Sequence, residues 1–159
     1  MTDLDHLRYA AKVAATQSHD PKTQNAAVLV ARNSTIWSAN RVPKGIEVTP
    51  ASLEAPRKYV VMEHAERGVI QAAARIGWKT DGSTMYCLWF ACVDCARAII
   101  NAGIGEIVGH MTPRSQTPDR WIEQVAAGEA MLRQAGVSMR WMNETLGVTI
   151  RFDGRELEL

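Results

Sequence analysis

From residue 63 onward the chain alternates helical and extended apolar segments, and no other feature restricts its fold as much. EHAERGVIQAAARIG (63–77) is rich in alanine and closed by a glycine, which predicts a helix. STMYCLWF (83–90) reads as a strand, CVDCARAIINAG (92–103) as a second glycine-terminated helix, and GEIVGHM (105–111) as another strand. After MTPRSQTPD, read as a loop, DRWIEQVAAGEAMLRQAG (119–136) has the period of an amphipathic helix and SMRWMN (138–143) that of a strand. Such alternation implies βαβ units, hence parallel strands with helices packed on the sheet. VTIRFDGREL (148–157) predicts a short hairpin around Asp153-Gly154.

The first third of the chain follows another plan. Leu4, Leu7, Ala10, Ala11, Val13 and Ala14 recur at helical spacing within residues 3–17, and Ser18-His19-Asp20-Pro21 ends that helix. AAVLVAR (26–32) reads as a buried strand, Asn33-Ser34 as a tight turn and TIWSANR (35–41) as the antiparallel partner. Residues 42–57 carry Pro43, Gly45, Pro50 and Pro56 without a period, and long loops of this kind within a compact domain are often functional. The sum is an α/β chain with a mixed sheet, and 159 residues fit one domain around one core.

Composition excludes several function classes. A net charge of +1 supplies no field toward nucleic acid or an anionic membrane. No apolar run approaches the roughly 20 residues of a membrane span, and MTDLDHLRYAAKV carries acids where a signal peptide needs basic residues. Three clustered cysteines are too few for a secreted disulfide scaffold. The expectation is a cytoplasmic protein with a small-molecule substrate and neither nucleic-acid nor membrane partners.

Two motifs carry the chemistry: His64-Ala65-Glu66 at the start of one predicted helix, and Cys92-Val93-Asp94-Cys95 at the start of another. Cysteines three apart on a first helical turn can face one centre, where the helix dipole and free N–H groups favour thiolate. With a histidine they give Zn²⁺ three protein ligands, the pattern of a catalytic site with its fourth position open to water. Zinc lowers the pKa of such a water from about 15.7 to about 7. Glu66, two residues from the histidine, is placed to accept and return the proton. A non-enzymatic zinc module would have no use for Glu66 and would want a fourth ligand. Cys87, mid-strand, reads as a buried small hydrophobe. His6 and His110 read as solvated or capping residues.

The pairing of H-x-E with C-x-x-C is a signature of zinc deaminases of nucleobases. LEAPRKYVVMEHAERGVIQAAARIG and GSTMYCLWFACVDCARAIINAGI resemble the deoxycytidylate deaminase branch of the cytidine deaminase superfamily, as do SHDPKTQNAAVLV and SANRVPKGI upstream. The resemblance spans residues 5–111 and leaves 112–159 without a motif. It implies a three-layer α/β/α sandwich with a five-stranded mixed sheet and hydrolytic deamination of dCMP to dUMP. The alternative substrates are a nucleoside, a modified cytidylate or another aminated heterocycle. Departures are Ala91 for a proline, Gly68 for an asparagine and Ala26 for a glycine; none removes a ligand or the acid/base.

The resemblance also implies substrate contacts. The Ala65 N–H would face the pyrimidine carbonyl, the Phe90 carbonyl the exocyclic amine, and Asn40 the sugar, although Asn40 reads equally as a turn residue ending the hairpin. One or two of Lys22, Arg41, Lys44, Arg57 and Lys58 would hold a 5′-phosphate, and His19 lies in the nucleotide-facing loop. Trp89 or Phe90 would line the pocket. The family's mode of assembly implies a homo-oligomer built through the 92–103 and 119–136 helices, with Trp121 and Met131 as anchors.

Overall fold

The computed structural model describes residues 1–32, 34–90 and 92–159; Asn33 of the expected turn and Ala91 lie outside them. The first helix, α1 (Asp3–Gln17), starts at Thr2, whose side chain caps the Asp5 amide while Asp5 caps Thr2 in return. Strands β1 (Ala26–Ala31) and β2 (Ser34–Ala39) pair antiparallel, with Ala26 opposite Ala39. After a 3-10 turn at Pro50–Leu53 come a one-turn helix α2 (Lys58–Val61) and α3 (Ala65–Arg75). Then follow β3 (Thr84–Cys87), α4 (Val93–Asn101), β4 (Glu106–His110), α5 (Met111–Ser115), α6 (Asp119–Gln134) and β5 (Ser138–Met142). A separate hairpin, β6 (Thr149–Phe152) and β7 (Arg155–Glu158), closes the chain.

The main sheet runs β2-β1-β3-β4-β5. β1 is antiparallel to both its neighbours, whereas β3, β4 and β5 are parallel, as the two plans in the sequence require. Because side chains alternate across a strand, each buried strand feeds two cores. Ala27, Leu29, Met85 and Ile107 face α3, α4 and α6. Val28, Tyr86 and Val108 face Leu7, Ala10 and Ala14 of α1, together with Ile150 and Phe152 of the hairpin. The result is the expected α/β/α sandwich with a five-stranded mixed sheet. No helix among the described residues is long and apolar enough to cross a membrane.

Four details differ from the sequence reading. The segment after β4, expected as a loop, begins with the short helix α5; Pro113 sits in its first turn, where a missing N–H costs nothing. β3 stops at Cys87 rather than Phe90, because the Asn25 carboxamide takes over the pairing: its Nδ2 donates to Trp89 O at 2.6 Å and its Oδ1 accepts Trp89 N at 3.3 Å. His6 is buried, not solvated, because its ring packs on the sheet, 4.7 Å from that of Tyr86 in β3. His110 is also buried, held by a 3.0 Å contact from Nε2 to Glu144 O while Nδ1 accepts the Thr112 amide, so only the capping half of its expectation describes it.

Gly68, where the family has asparagine, has a steric cause. A Cβ there would lie 2.6 Å from Ser38 Oγ and 3.3 Å from Ser38 Cβ, so a side chain at this position requires Ser38 of β2 to shift. At the tip of the last hairpin Asp153 and Gly154 both have positive φ, 50° and 78°, the twist that a two-residue turn needs.

Candidate active site

α3 follows β2 and α4 follows β3, strands that run the same way because each is antiparallel to β1, so both helices begin at one end of the sheet, and both motifs sit there. His64 is the N-cap of α3, with Ala65 and Glu66 in its first turn. Cys92 is the N-cap of α4, its Sγ accepting the Cys95 amide. His64 Nδ1 lies 3.3 Å from Cys92 Sγ and 3.5 Å from Cys95 Sγ, and the two sulfurs are 3.2 Å apart. That is far beyond the roughly 2.05 Å of a disulfide, and all three cysteines are free thiols.

These three atoms form the one cluster of metal-ligating type among the described residues, all within 4.8 Å of one another. A tetrahedral ion with Zn–S bonds near 2.3 Å needs its sulfurs roughly 3.7 Å apart, a few tenths more than observed. Two buried sulfurs and one half-buried imidazole nitrogen converge as a zinc ligand set does. Cys87 lies outside the cluster and contacts Asn25 and the Trp89 carbonyl; burial pushes its thiol well up, as for an inert core cysteine.

The electrostatics agree with that assignment. The hydrogen bond between the two thiols makes them ionise as a unit: it drives Cys92 down to about 4, helped by His64, and pushes Cys95 up. Burial opposes protonation of His64, but the contact with Cys92 and the charge of Glu66 outweigh it and raise the imidazole. Glu66 is only 2% exposed, and burial pushes its carboxyl up to about 7, against the opposing pull of His64. A carboxyl so poised exchanges protons readily near neutrality.

His64, Glu66 and Cys92 open into a pocket of about 300 Å³. Asn40 lies in its wall and is buried, with Oδ1 accepting the Ala65 amide at 3.0 Å and Nδ2 donating to Thr23 O at 3.1 Å. The Ala65 N–H is thus already engaged. Phe90 turns its ring away from the pocket, stacked 4.5 Å from Trp141 in the core, whereas Trp89 lines the pocket.

Of the five basic candidates, only Lys58 lines this pocket; its side chain is 8% exposed and its ammonium bonds both Asp20 oxygens at 2.9 Å. Lys22 and Lys44 are exposed and stand outside the lining; Lys22 does so where Asp20 turns the 18–25 loop back on itself by accepting the Lys22 and Thr23 amides. Lys44, Arg41 and His19 line a different depression.

The sequence reading missed the wall contributed by the unplaced C-terminal third: Arg120, Trp121 and Gln124 of α6 all face the pocket. Trp121 stands edge-on to His64 with ring centres 6.4 Å apart, and Met131 packs on the core. Both are half-buried, Trp121 in the pocket wall and Met131 against the core. An amphipathic period reports which side is buried, not what buries it.

Fold and site together define a zinc-dependent hydrolytic deaminase. Comparison with known proteins agrees. Residues 1–111 match the family described as the cytidine and deoxycytidylate deaminase zinc-binding region, and the chain belongs to that family. It is 28% identical to the deoxycytidylate deaminase of Homo sapiens over 158 residues, covering 94% of this chain and 85% of the human one. The structure of dCMP deaminase from the cyanophage S-TIM5 in apo form superposes with a TM-score of 0.69 at 20% identity, covering 88% of this chain and 96% of the other. The complex of that enzyme with dCMP and dUMP gives 0.65 at 20% identity, with 87% and 93% covered. At that identity the two structures speak to the fold.

Proposed function

We propose that the enzyme converts dCMP and water to dUMP and ammonia. The observation that carries this reading is a buried Glu66 beside three convergent ligand atoms, opening on a pocket with a buried cation, Lys58, in its wall. Zinc bound by His64, Cys92 and Cys95 supplies Lewis acidity and an acidified water. Glu66 takes the proton of the attacking water, passes it to ring N3 as C4 becomes tetrahedral, and carries the second proton to the leaving amine. Its burial keeps that proton from escaping to solvent.

The proposed substrate contacts are coupled. Because the Ala65 N–H is donated to Asn40 Oδ1, engagement of the pyrimidine carbonyl by Ala65 frees Asn40 to meet the sugar. The exocyclic amine meets the Phe90 carbonyl. Three cations line the pocket, Lys58, Arg67 and Arg120; Lys58 and Arg120 serve the 5′-phosphate in place of Lys22 and Lys44, since Arg67 is held between the Glu63 and Asp94 carboxylates beside the metal ligands.

Rates on dCMP, CMP, deoxycytidine and cytosine test the reading side by side. Charge-assisted phosphate contacts contribute about 1.5–3 kcal/mol each, so dCMP should exceed deoxycytidine by roughly a hundredfold in kcat/KM. Equal efficiency on deoxycytidine, or activity on a non-pyrimidine amine alone, overturns it. We further propose a cytoplasmic homo-oligomer, supported by three free thiols and by Val60 and Ile122 lying exposed. A mass near 17.6 kDa by light scattering of the same preparation would count against assembly.

A further inference from the structure

Zinc-binding histidines are commonly oriented by a carboxylate or carbonyl that accepts the hydrogen of the other ring nitrogen. His64 has no such partner among the described residues; its ring hydrogen-bonds only to the two sulfurs, and Trp121 meets it edge-on. Something else must fix where the imidazole points.

The backbone on either side of it is held unusually well. Glu63 pairs with Arg41 through both backbone groups, at 2.8 and 3.0 Å. The Glu63 carboxylate turns back along the chain, and its Oε1 accepts the His64 amide at 3.0 Å. That same oxygen receives Arg67 Nε at 2.7 Å and Nη2 at 2.6 Å, while Oε2 receives Gln71 Nε2 at 2.9 Å. The remaining guanidinium nitrogen, Nη1, reaches Asp94 Oδ2 at 3.5 Å. Asp94 stands between the two cysteine ligands and is paired in turn with Arg97. One guanidinium thus joins the residue before the histidine ligand to the residue between the cysteine ligands, across the N-termini of α3 and α4.

We propose that Arg67 is a positioning residue that sets the register of the two ligand-bearing helix ends and thereby the affinity and geometry of the zinc site. Arginine suits the task because its planar fork reaches two carboxylates at once, which a lysine ammonium on a single stem does less well. With Glu63 and Asp94 both in place the guanidinium adds no net positive charge beside the metal, so its effect is on geometry. The proposal rests on the zinc site and is independent of which base is deaminated.

The test is carried out on the full chain with Arg67→Met, Arg67→Lys and Asp94→Asn. Zinc affinity is read by chelator competition, and ligand geometry by the thiolate-to-metal absorption bands of the cobalt-substituted protein. Arg67→Met should weaken zinc binding about tenfold to a hundredfold, the usual size for loss of an outer-shell partner, and displace the cobalt bands. Arg67→Lys should restore part of both. Asp94→Asn should weaken zinc by a smaller factor, and its effect should largely vanish in the Arg67→Met background. The KM for dCMP should stay within about threefold of wild type in each variant. Unchanged zinc affinity and bands in Arg67→Met overturn the proposal. So does a raised KM with an intact metal site, which makes Arg67 a substrate contact. Should Arg67→Met fail to fold, Asp94→Asn at its half-exposed position decides alone, and unchanged zinc affinity there overturns the proposal equally.

Discussion

The two faces of the central sheet are built from the same strands and do different work. On one, α3 and α4 begin just beyond the sheet edge and aim their first turns at a shared point, where the ligands and Glu66 sit. On the other, α1 and the β6–β7 hairpin cover Val28, Tyr86 and Val108 with apolar side chains and bring no residue to the pocket from their packed interior. Alternation along each strand lets one sequence serve both, with Tyr86 on the closed face and Met85 and Cys87 toward the chemical one.

The largest expected effect tests the chemical face. Glu66→Ala should keep its zinc and its fold yet lose about three orders of magnitude or more in kcat, the upper range of general acid–base contributions. Cys92→Ser should instead lose zinc, because the sulfur both ligates and caps α4. Metal analysis beside turnover separates the two, and a Glu66→Ala enzyme working at an appreciable fraction of the wild-type rate removes the proton-shuttle assignment.

The chemical face was also the more legible one. His64 with Glu66, and Cys92 with Cys95, are each close in sequence, so one helical turn converts their spacing directly into geometry. The alternation of periods likewise announced the parallel strands, and Asp153-Gly154 announced the last hairpin. What could not be read was which distant segments meet. Lys58 reaches the pocket because Asp20 holds it there from 38 residues away, while Lys22 and Lys44, the same residue type, stand outside its lining. Trp121 reads as one apolar residue on an amphipathic helix, and only packing tells a pocket wall from an interface. His6 shows the same limit on the closed face, where its ring is buried against Tyr86 of the distant strand β3.

A change of intermediate size tests the closed face. Ile150, 2% exposed beneath α1, anchors the hairpin. Ile150→Ala should destabilise the protein by about 2–5 kcal/mol, the usual range for such truncations in a core. The zinc affinity and KM of the folded fraction should be unaltered. Denaturant melts with chelator titration check both halves. A parallel loss of zinc affinity would mean that the faces are mechanically coupled through the sheet.

The smallest expected effect concerns pH, and it arises on the face without chemistry. His6 is buried against Tyr86, and its Nδ1 has no hydrogen-bond partner among the described residues. Burial disfavours the imidazolium and the N-terminal ammonium adds repulsion. Asp3 and Asp5 pull the other way without compensating, so the pKa is lowered from its ordinary 6.5. The Tyr86 hydroxyl hydrogen is donated to Asp3 Oδ1 at 2.6 Å and so is not offered to His6 Nδ1. The unfolded chain therefore takes up a proton at about pH 6.5 while the folded protein does not. The stability contribution is intact above that pH and declines as pH falls, at up to about 1.4 kcal/mol per pH unit, until the folded pKa is reached. His6→Phe preserves the ring contact with Tyr86 and removes the titration. Its stability should fall less steeply than wild type between about pH 7 and 5.5, while the response of the zinc ligands, common to both proteins, cancels in the difference. Parallel stability curves for the two proteins across that window would show that His6 is protonated in the fold as readily as in the unfolded chain.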